Sequence, residues 1–303
     1  MLRIVWEQLR LPTAARGCDV LHASAFVAPQ IALRPTVVTI YDLSFALYPQ
    51  YFRGLNQAYL RIGTRRSARR ARRVLAISEH TRRDIHRLYG VPLDRIDVAY
   101  PGVDAALAPA SPEAVEAFKR QKQLPDRFLL FLGTLEPRKN LVMLIQAFAQ
   151  LKRERPDAAL VLAGGVGWLA DEVFTEIDRS GVKDSIVIPG FVPDEEKALW
   201  YASATTFVYP SIYEGFGLPP LEAMACGTPV IVSNAASLPE VVGEAGLNVA
   251  PDDVSGWSHA MRRAWSDAAL RAELTERGLK QAQCFSWAET ARVTAAAYRA
   301  AAR

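Results

Sequence analysis

The chain has 303 residues, half of them apolar and 22% charged, with no long low-complexity tract; this excludes an intrinsically disordered protein and gives room for two α/β domains or one large one. The net charge of +4 is uneven: residues 1–104 hold 16 arginines and no lysine against 8 acids, a balance of +8, and the remainder holds 20 basic and 24 acidic residues, a balance of −4. That asymmetry points to an anionic surface as partner of the first half, whereas no apolar run reaches the roughly 18 residues that span a bilayer and no signal-peptide core opens the chain.

Candidate strands follow in chain order as Asp19–His22, Thr36–Tyr41, Arg73–Ile77 and Ile96–Ala99. After a break come Phe128–Gly133, Ala159–Gly164, Ser185–Ile188, Thr206–Tyr209 and Pro229–Val232. Most are short continuous apolar runs, the pattern of parallel strands buried on both faces. Helical periodicity is expected over Asn56–Arg72, Glu79–Tyr89, Asn140–Arg153 and Asp194–Ser203, and from Ser255 to Arg303 with interruptions at Gly278 and Ser286. Alternating strands and helices predict an α/β fold of right-handed βαβ units on parallel sheets. The break, Tyr100–Asp126, carries four prolines and a glycine and reads as a linker with an added helix. Residues 1–108 are expected to form one domain, 109–285 a second, and 286–303 a C-terminal helix that packs back on the first.

The three cysteines, Cys18, Cys226 and Cys284, are widely spaced and form no CxxC pair, so neither a disulfide framework nor a zinc site is favoured and a reducing, cytoplasmic compartment is expected. Arg61, Arg65, Arg66, Arg69, Arg70, Arg72 and Arg73 crowd one predicted helix, with Tyr59, Leu60 and Ile62 beside them. Three readings stand: a solvated helix face, a basic amphipathic helix that meets anionic lipid headgroups on the inner face of a membrane, or a nucleic-acid contact. No aromatic stacking platform accompanies the arginines, so nucleic acid is not expected as a partner.

The chemistry concentrates in Tyr209–Gly227, YPSIYEGFGLPPLEAMACG. An apolar strand ends at Tyr209, a glycine-rich turn carries Glu214, Gly215, Phe216 and Gly217, and Pro219 and Pro220 suit the first turn of a helix that runs through Glu222. Glycines let backbone amides approach a ligand, a helix N-terminus attracts phosphate, and ionised carboxylates accept hydrogen bonds from sugar hydroxyls. A second element, GTLEPRKN at Gly133–Asn140, sets Arg138 and Lys139 where a strand gives way to a helix.

The first element resembles the EX7E motif of GT4-family glycosyltransferases, and the second is similar to that family's phosphate-binding motif. The resemblance implies a GT-B fold of two Rossmann-like domains, a shortened acceptor-side one followed by a donor-binding one. It implies that Glu222 binds the donor ribose, that Glu214 contacts the transferred sugar, and that amides of Gly215, Phe216, Gly217 and Leu218 meet sugar and diphosphate. Lys139 and Arg138 would neutralise the departing diphosphate. Many members carry the arginine nearer the glycine, where this chain has Thr134. Gly133 and Thr134 belong to the same donor loop, and the strand ends at Ala163–Gly165 and Gly190–Pro193 would line the base pocket, with Phe191 and Val192 near the base.

In the first half, Tyr41 stands where many members have histidine. Asp42 reads either as a turn residue or as a contact to a sugar hydroxyl or acceptor. Ser78 reads as a helix cap, and His22 as a strand end or an acceptor-side residue. The family resemblance begins near Arg3–Pro12, which corresponds to a later point in other members, so an opening strand and glycine-rich loop are expected to be missing and a homodimer could complete the sheet. The resemblance further implies a retaining, metal-independent and cofactor-free transfer of mannose or glucose from a GDP- or UDP-sugar to a carbohydrate or lipid-linked hydroxyl acceptor. The alternative is an inactive or partner-dependent relative that only binds a nucleotide sugar.

Overall fold

The computed structural model describes residues 2–52 and 55–303. The chain divides into two compact units. One comprises Met1–Gly102, Glu214–Phe216 and Ser286–Arg303; the other comprises Val103–Tyr213 and Gly217–Phe285.

The first unit is built on four parallel strands in chain order: β1 (Leu21–Ala23), β2 (Thr36–Ile40), β3 (Arg73–Ala76) and β4 (Ile96–Val98). Side chains alternate across a strand, so each face of this sheet needs its own cover. Val38, Ile40, Val74, Ala76 and Ile96 face one core, with Phe45, Ala68, Ile85 and Tyr89. Val37, Leu75 and Ala99 face the other, where Ala297 and Ala301 of the helix Trp287–Ala302 close over them. Small residues there let the helix backbone come close to the sheet.

Two departures from the sequence reading occur in this unit. β1 begins at Leu21, so His22 lies mid-strand rather than at its end: its Nδ1 meets the Tyr298 hydroxyl at 2.7 Å and its Nε2 meets Thr39 Oγ1 at 2.8 Å. The arginine helix, Leu55–Arg70, stops before Arg72 and Arg73. Pairing of Arg73 with Val37 draws the chain into β3, and the Arg73 guanidinium binds the Asp97 carboxylate from there. The helix Glu79–Tyr89 is as expected and is capped by Ser78, whose hydroxyl accepts from Thr81 N at 2.9 Å, whereas the short helical segments within residues 2–17 and at Ser44–Leu47 and Pro49–Tyr51 carry no sequence expectation.

The second unit opens with the added helix, Pro112–Lys122, and a parallel sheet of six strands. These are β5 (Leu129–Leu132), β6 (Leu160–Ala163), β7 (Ile186–Gly190), β8 (Thr206–Tyr209), β9 (Val230–Ser233) and β10 (Gly246–Val249). Their order is β10-β9-β8-β5-β6-β7, so the chain reverses direction across the sheet between β5 and β8. The four inner strands are wholly buried, which is why they read as unbroken apolar runs.

β10 was not expected from the sequence. Gly246 and Asn248 are poor strand formers, and the strand exists because its backbone extends the ladder of β9. β9 starts at Val230, one residue late, since Pro229 has no N–H to give to β8. The C-terminal region forms three helices, Val254–Ser266, Ala268–Ala282 and Trp287–Ala302. The first break falls at Asp267, whose carboxylate accepts from Leu270 N at 2.9 Å as a cap, and not at Gly278. Gly278 sits inside a helix against Met224, where an added Cβ would lie 3.2 Å from that side chain. Among the described residues no helix is long and apolar enough to cross a membrane.

Candidate active site

In an open parallel sheet, ligands bind beyond the carboxyl ends of the strands where strand order reverses. Here that place lies beyond β5 and β8, and both sequence motifs start there: Gly133–Asn140 follows β5, and the EX7E segment follows β8.

The loops after β5, β6 and β7 lie side by side. Gly133 N donates to Ala163 O at 2.9 Å, and Gly164 N donates to Gly190 O at 2.7 Å. A Cβ on Gly164 would collide with the Gly133 carbonyl, so only glycine permits this stacking. Thr134 is exposed on the β5 loop. Beyond β7, Phe191 is 78% exposed while Val192 is buried.

The β5 loop then tightens into the 3-10 turn Pro137–Lys139. Lys139 is only 7% exposed; its Nζ donates to the Tyr209 hydroxyl at 2.6 Å and stands 4.9 Å from the centre of that ring. The Tyr209 hydroxyl thus fixes this buried ammonium close to the strand ends. Arg138 is used differently. Its guanidinium binds Glu136 Oε1 and the Tyr213 carbonyl, each at 2.7 Å, and its own carbonyl accepts from Ile212 N at 3.0 Å. It therefore fastens the β8 loop to the β5 loop. Asn140 adds to this from a left-handed backbone (φ 60°), its amide donating to Pro210 O and Pro251 O at 3.3 and 2.6 Å.

Past Tyr213 the chain enters the helix Leu218–Ala225, with prolines in the first turn, an exposed Leu218 and a buried Gly217. Glu222 points from this helix to Tyr201, whose hydroxyl donates to its Oε2 at 2.7 Å. Tyr201 is wholly buried, and burial, then the Glu222 charge, pushes its phenol well above the usual range. The same two causes push the Cys226 thiol up to about 12.

The intervening segment Glu214–Phe216 groups with the first unit. Thr81 Oγ1 donates to Gly215 O at 3.1 Å, and Phe216 packs its buried ring 6.0 Å from that of Tyr100. A Cβ on Gly215 would strike the Tyr41 carbonyl, so the backbone passes there only as glycine. Glu214 is 9% exposed. Tyr41 donates its hydroxyl to Ser24 O at 2.8 Å and stays partly exposed. One oxygen of Asp42 accepts from both Ser44 N and Ser44 Oγ, at 2.9 and 2.6 Å, in the manner of a turn aspartate.

The structure thus brings Lys139, Arg138, Gly133 and Thr134 to the end of β5, and Glu222, Gly217 and Leu218 to the helix after β8. It adds four residues that the sequence reading passed over: Tyr201, Tyr209, Glu136 and Asn140. Tyr201 lay in an apolar helical run and Tyr209 closed a strand, so both read as core. Glu136 was visible inside GTLEPRKN, but its partner, the i+2 arginine, becomes apparent only once the turn is formed.

Residues 113–281 match the family model described as glycosyl transferases group 1, and residues 1–107 match that of glycosyltransferase family 4. The chain is 38% identical to the O-antigen chain mannosyltransferase B of Escherichia coli over 282 residues, 92% of this chain and 74% of that protein. It is 37% identical to the serotype-specific mannosyltransferase WbdA of Escherichia coli over 73% of its own length, but spans only 28% of that longer protein. Among solved structures it resembles Anabaena HepE in complex with UDP and glucose, with a TM-score of 0.80 at 23% identity over 95% of this chain and 79% of that one. At that identity the likeness speaks for the fold, which is GT-B.

Proposed function

The chain belongs to glycosyltransferase family 4, and from that premise we propose that it moves a hexose, mannose first and glucose second, from a nucleotide diphosphate sugar to a hydroxyl acceptor with retained anomeric configuration and without a metal ion. The observation that carries this reading is the buried Lys139 ammonium at the strand-order reversal, within the same unit as the Glu222 carboxylate. Mannose comes first because the relatives at 38% and 37% identity are called mannosyltransferases.

In this reading Glu222, oriented by Tyr201, accepts hydrogen bonds from the ribose. Glycine-loop amides and the helix start at Leu218 receive the diphosphate. Lys139 stabilises the charge that develops on the leaving phosphate as the anomeric bond breaks. Arg138 holds the two loops in place for it. Glu214 positions the transferred sugar, and the Asp42 oxygen not engaged by Ser44 serves the acceptor hydroxyl, which a phosphate oxygen helps to deprotonate. Phe191 and Val192 border the base. The acceptor is a carbohydrate or lipid-linked sugar.

Thermal-shift screening across UDP-, GDP- and ADP-sugars, followed by transfer assays with the best donor and NMR of the product's anomeric proton, tests this. Stabilisation by GDP-mannose, an axial product bond and activity in EDTA support it. Donor binding without transfer or hydrolysis supports the alternative, an inactive nucleotide-sugar-binding relative, for which the tyrosine at position 41 speaks. An inverted product overturns the retaining mechanism.

A further inference from the structure

The helix Leu55–Arg70 buries Gly63, Thr64, Ser67 and Ala68 and turns Arg61, Ile62, Arg65, Arg66, Arg69 and Arg70 outward. Beside it lies a cavity of about 1040 Å³, walled on this side by Arg61, Arg65, Arg66 and Arg69. Among the described residues that line it there is no carboxylate. Arg69 donates to Tyr89 O at 2.7 Å, whereas Arg61, Arg65 and Arg66 have neither ion pair nor hydrogen bond among the described residues. Like charges at i,i+4 spacing repel along a helix, and no carboxylate among the described lining residues offsets them. The rest of the lining is largely apolar, with Ile62 from the same helix and Ala46, Pro49 and Leu88 from outside it.

Tyr89 supplies an independent observation. It lines the same cavity, is 4% exposed, and its hydroxyl is buried with no hydrogen-bond partner among the described residues. A buried hydroxyl without a partner is rare and costly. Burial raises its pKa against the opposing pull of Arg65 and Arg61, so it remains a donor and lies within electrostatic reach of both guanidiniums.

We infer that this cavity binds the phosphate or diphosphate group of an ester whose other end is apolar, with Arg61, Arg65 and Arg66 on the phosphate oxygens, Tyr89 as a further donor, and Ile62 and Leu88 against the apolar portion. Guanidiniums match phosphate oxygens in bidentate geometry. The site lies wholly in the first unit, and its occupancy does not depend on the sugar-transfer reading.

Calorimetric titration of the full chain with dodecyl phosphate, below its micelle concentration, tests the assignment. One molecule should bind, more tightly than inorganic diphosphate, and dodecyl maltoside should not compete. Arg61→Ala with Arg65→Ala should weaken binding by about tenfold or more, with thermal unfolding unchanged because both side chains are exposed. Tyr89→Phe should weaken it by about threefold without lowering the melting temperature, a result that a merely structural tyrosine would not give. If phosphatidylglycerol vesicles displace the dodecyl phosphate, the phosphate comes from a membrane headgroup; if they do not, it comes from a free phosphate ester, and both outcomes uphold the site. Failure of the wild type to bind dodecyl phosphate, equal affinity in the double-arginine variant, or displacement by a single-stranded oligonucleotide overturns it.

Discussion

The Tyr201 hydroxyl donates to the Glu222 carboxylate at 2.7 Å from a position with no solvent exposure. The phenol is held protonated by its burial and by that carboxylate, so it fixes one carboxylate oxygen in place. Glu222→Ala should weaken nucleotide binding by about 2 kcal/mol and, by orphaning the phenol, lower folding stability by about 1–3 kcal/mol. Tyr201→Phe should weaken binding less, by about 1 kcal/mol. Calorimetry with the nucleotide and urea unfolding measure the two effects; unchanged affinity in Glu222→Ala removes the ribose assignment.

Lys139→Ala should reduce kcat by about 100-fold, the scale of losing one preorganised group at a developing charge. Folding should change little, since the loss of packing is offset by relief from burying an ammonium. Steady-state kinetics beside urea midpoints separate the two, and a fall in stability that matches the fall in rate would undo the assignment.

Arg138→Ala should behave in the opposite sense. Glu136 is 3% exposed and would be left buried without its guanidinium, at a cost of about 3 kcal/mol. Adding Glu136→Gln should recover part of that loss, because a neutral amide is easier to bury. A double-mutant cycle by urea unfolding reads the coupling; additive losses would show that the pair does not act as a unit.

Gly215→Ala places a methyl group on the Tyr41 carbonyl. The segment Glu214–Phe216 must then shift, and Glu214 with it. Transfer activity should fall by at least about 100-fold, the scale expected when a positioning group moves by about an ångström. Far-UV circular dichroism should stay native, and retained activity would show that the segment tolerates the shift.

Cys18 and Cys284 are exposed and Cys226 is buried. A thiol-labelling reagent at pH 8 should therefore modify two cysteines quickly and Cys226 only as the chain unfolds. The Cys226 thiol rises from its ordinary 9.0 to about 12. The folded chain then keeps a proton that the unfolded chain gives up, so this group stabilises the fold below pH 9 and the contribution drains away as pH climbs from 9 toward 12. Three equally fast thiols would contradict the burial.

Much of this was legible in the sequence. Runs such as FLLFLG and TFVY announced inner strands because both faces are covered, and Ser78 announced a helix start because its hydroxyl competes for a backbone amide. β10 was not legible, since it is held by a ladder to β9 and not by its own residue types. Within the candidate site, the placing of Glu222 on a helix and Glu214 on a loop followed from prolines and glycines. The division of labour between Arg138 and Lys139 did not, for adjacent cations read alike until their partners, Glu136 and Tyr209, are seen in space.

The helix Trp287–Ala302 covers one face of a sheet whose strands end before residue 99. A ribosome releases the chain from its N-terminus, so Val37, Leu75 and Ala99 wait bare while every residue of the second unit is made. Folding during synthesis should thus run against chain order, the later-coded unit closing first and the earlier one last. Until residues 287–302 emerge, the nascent first sheet offers a greasy face for a chaperone to shield.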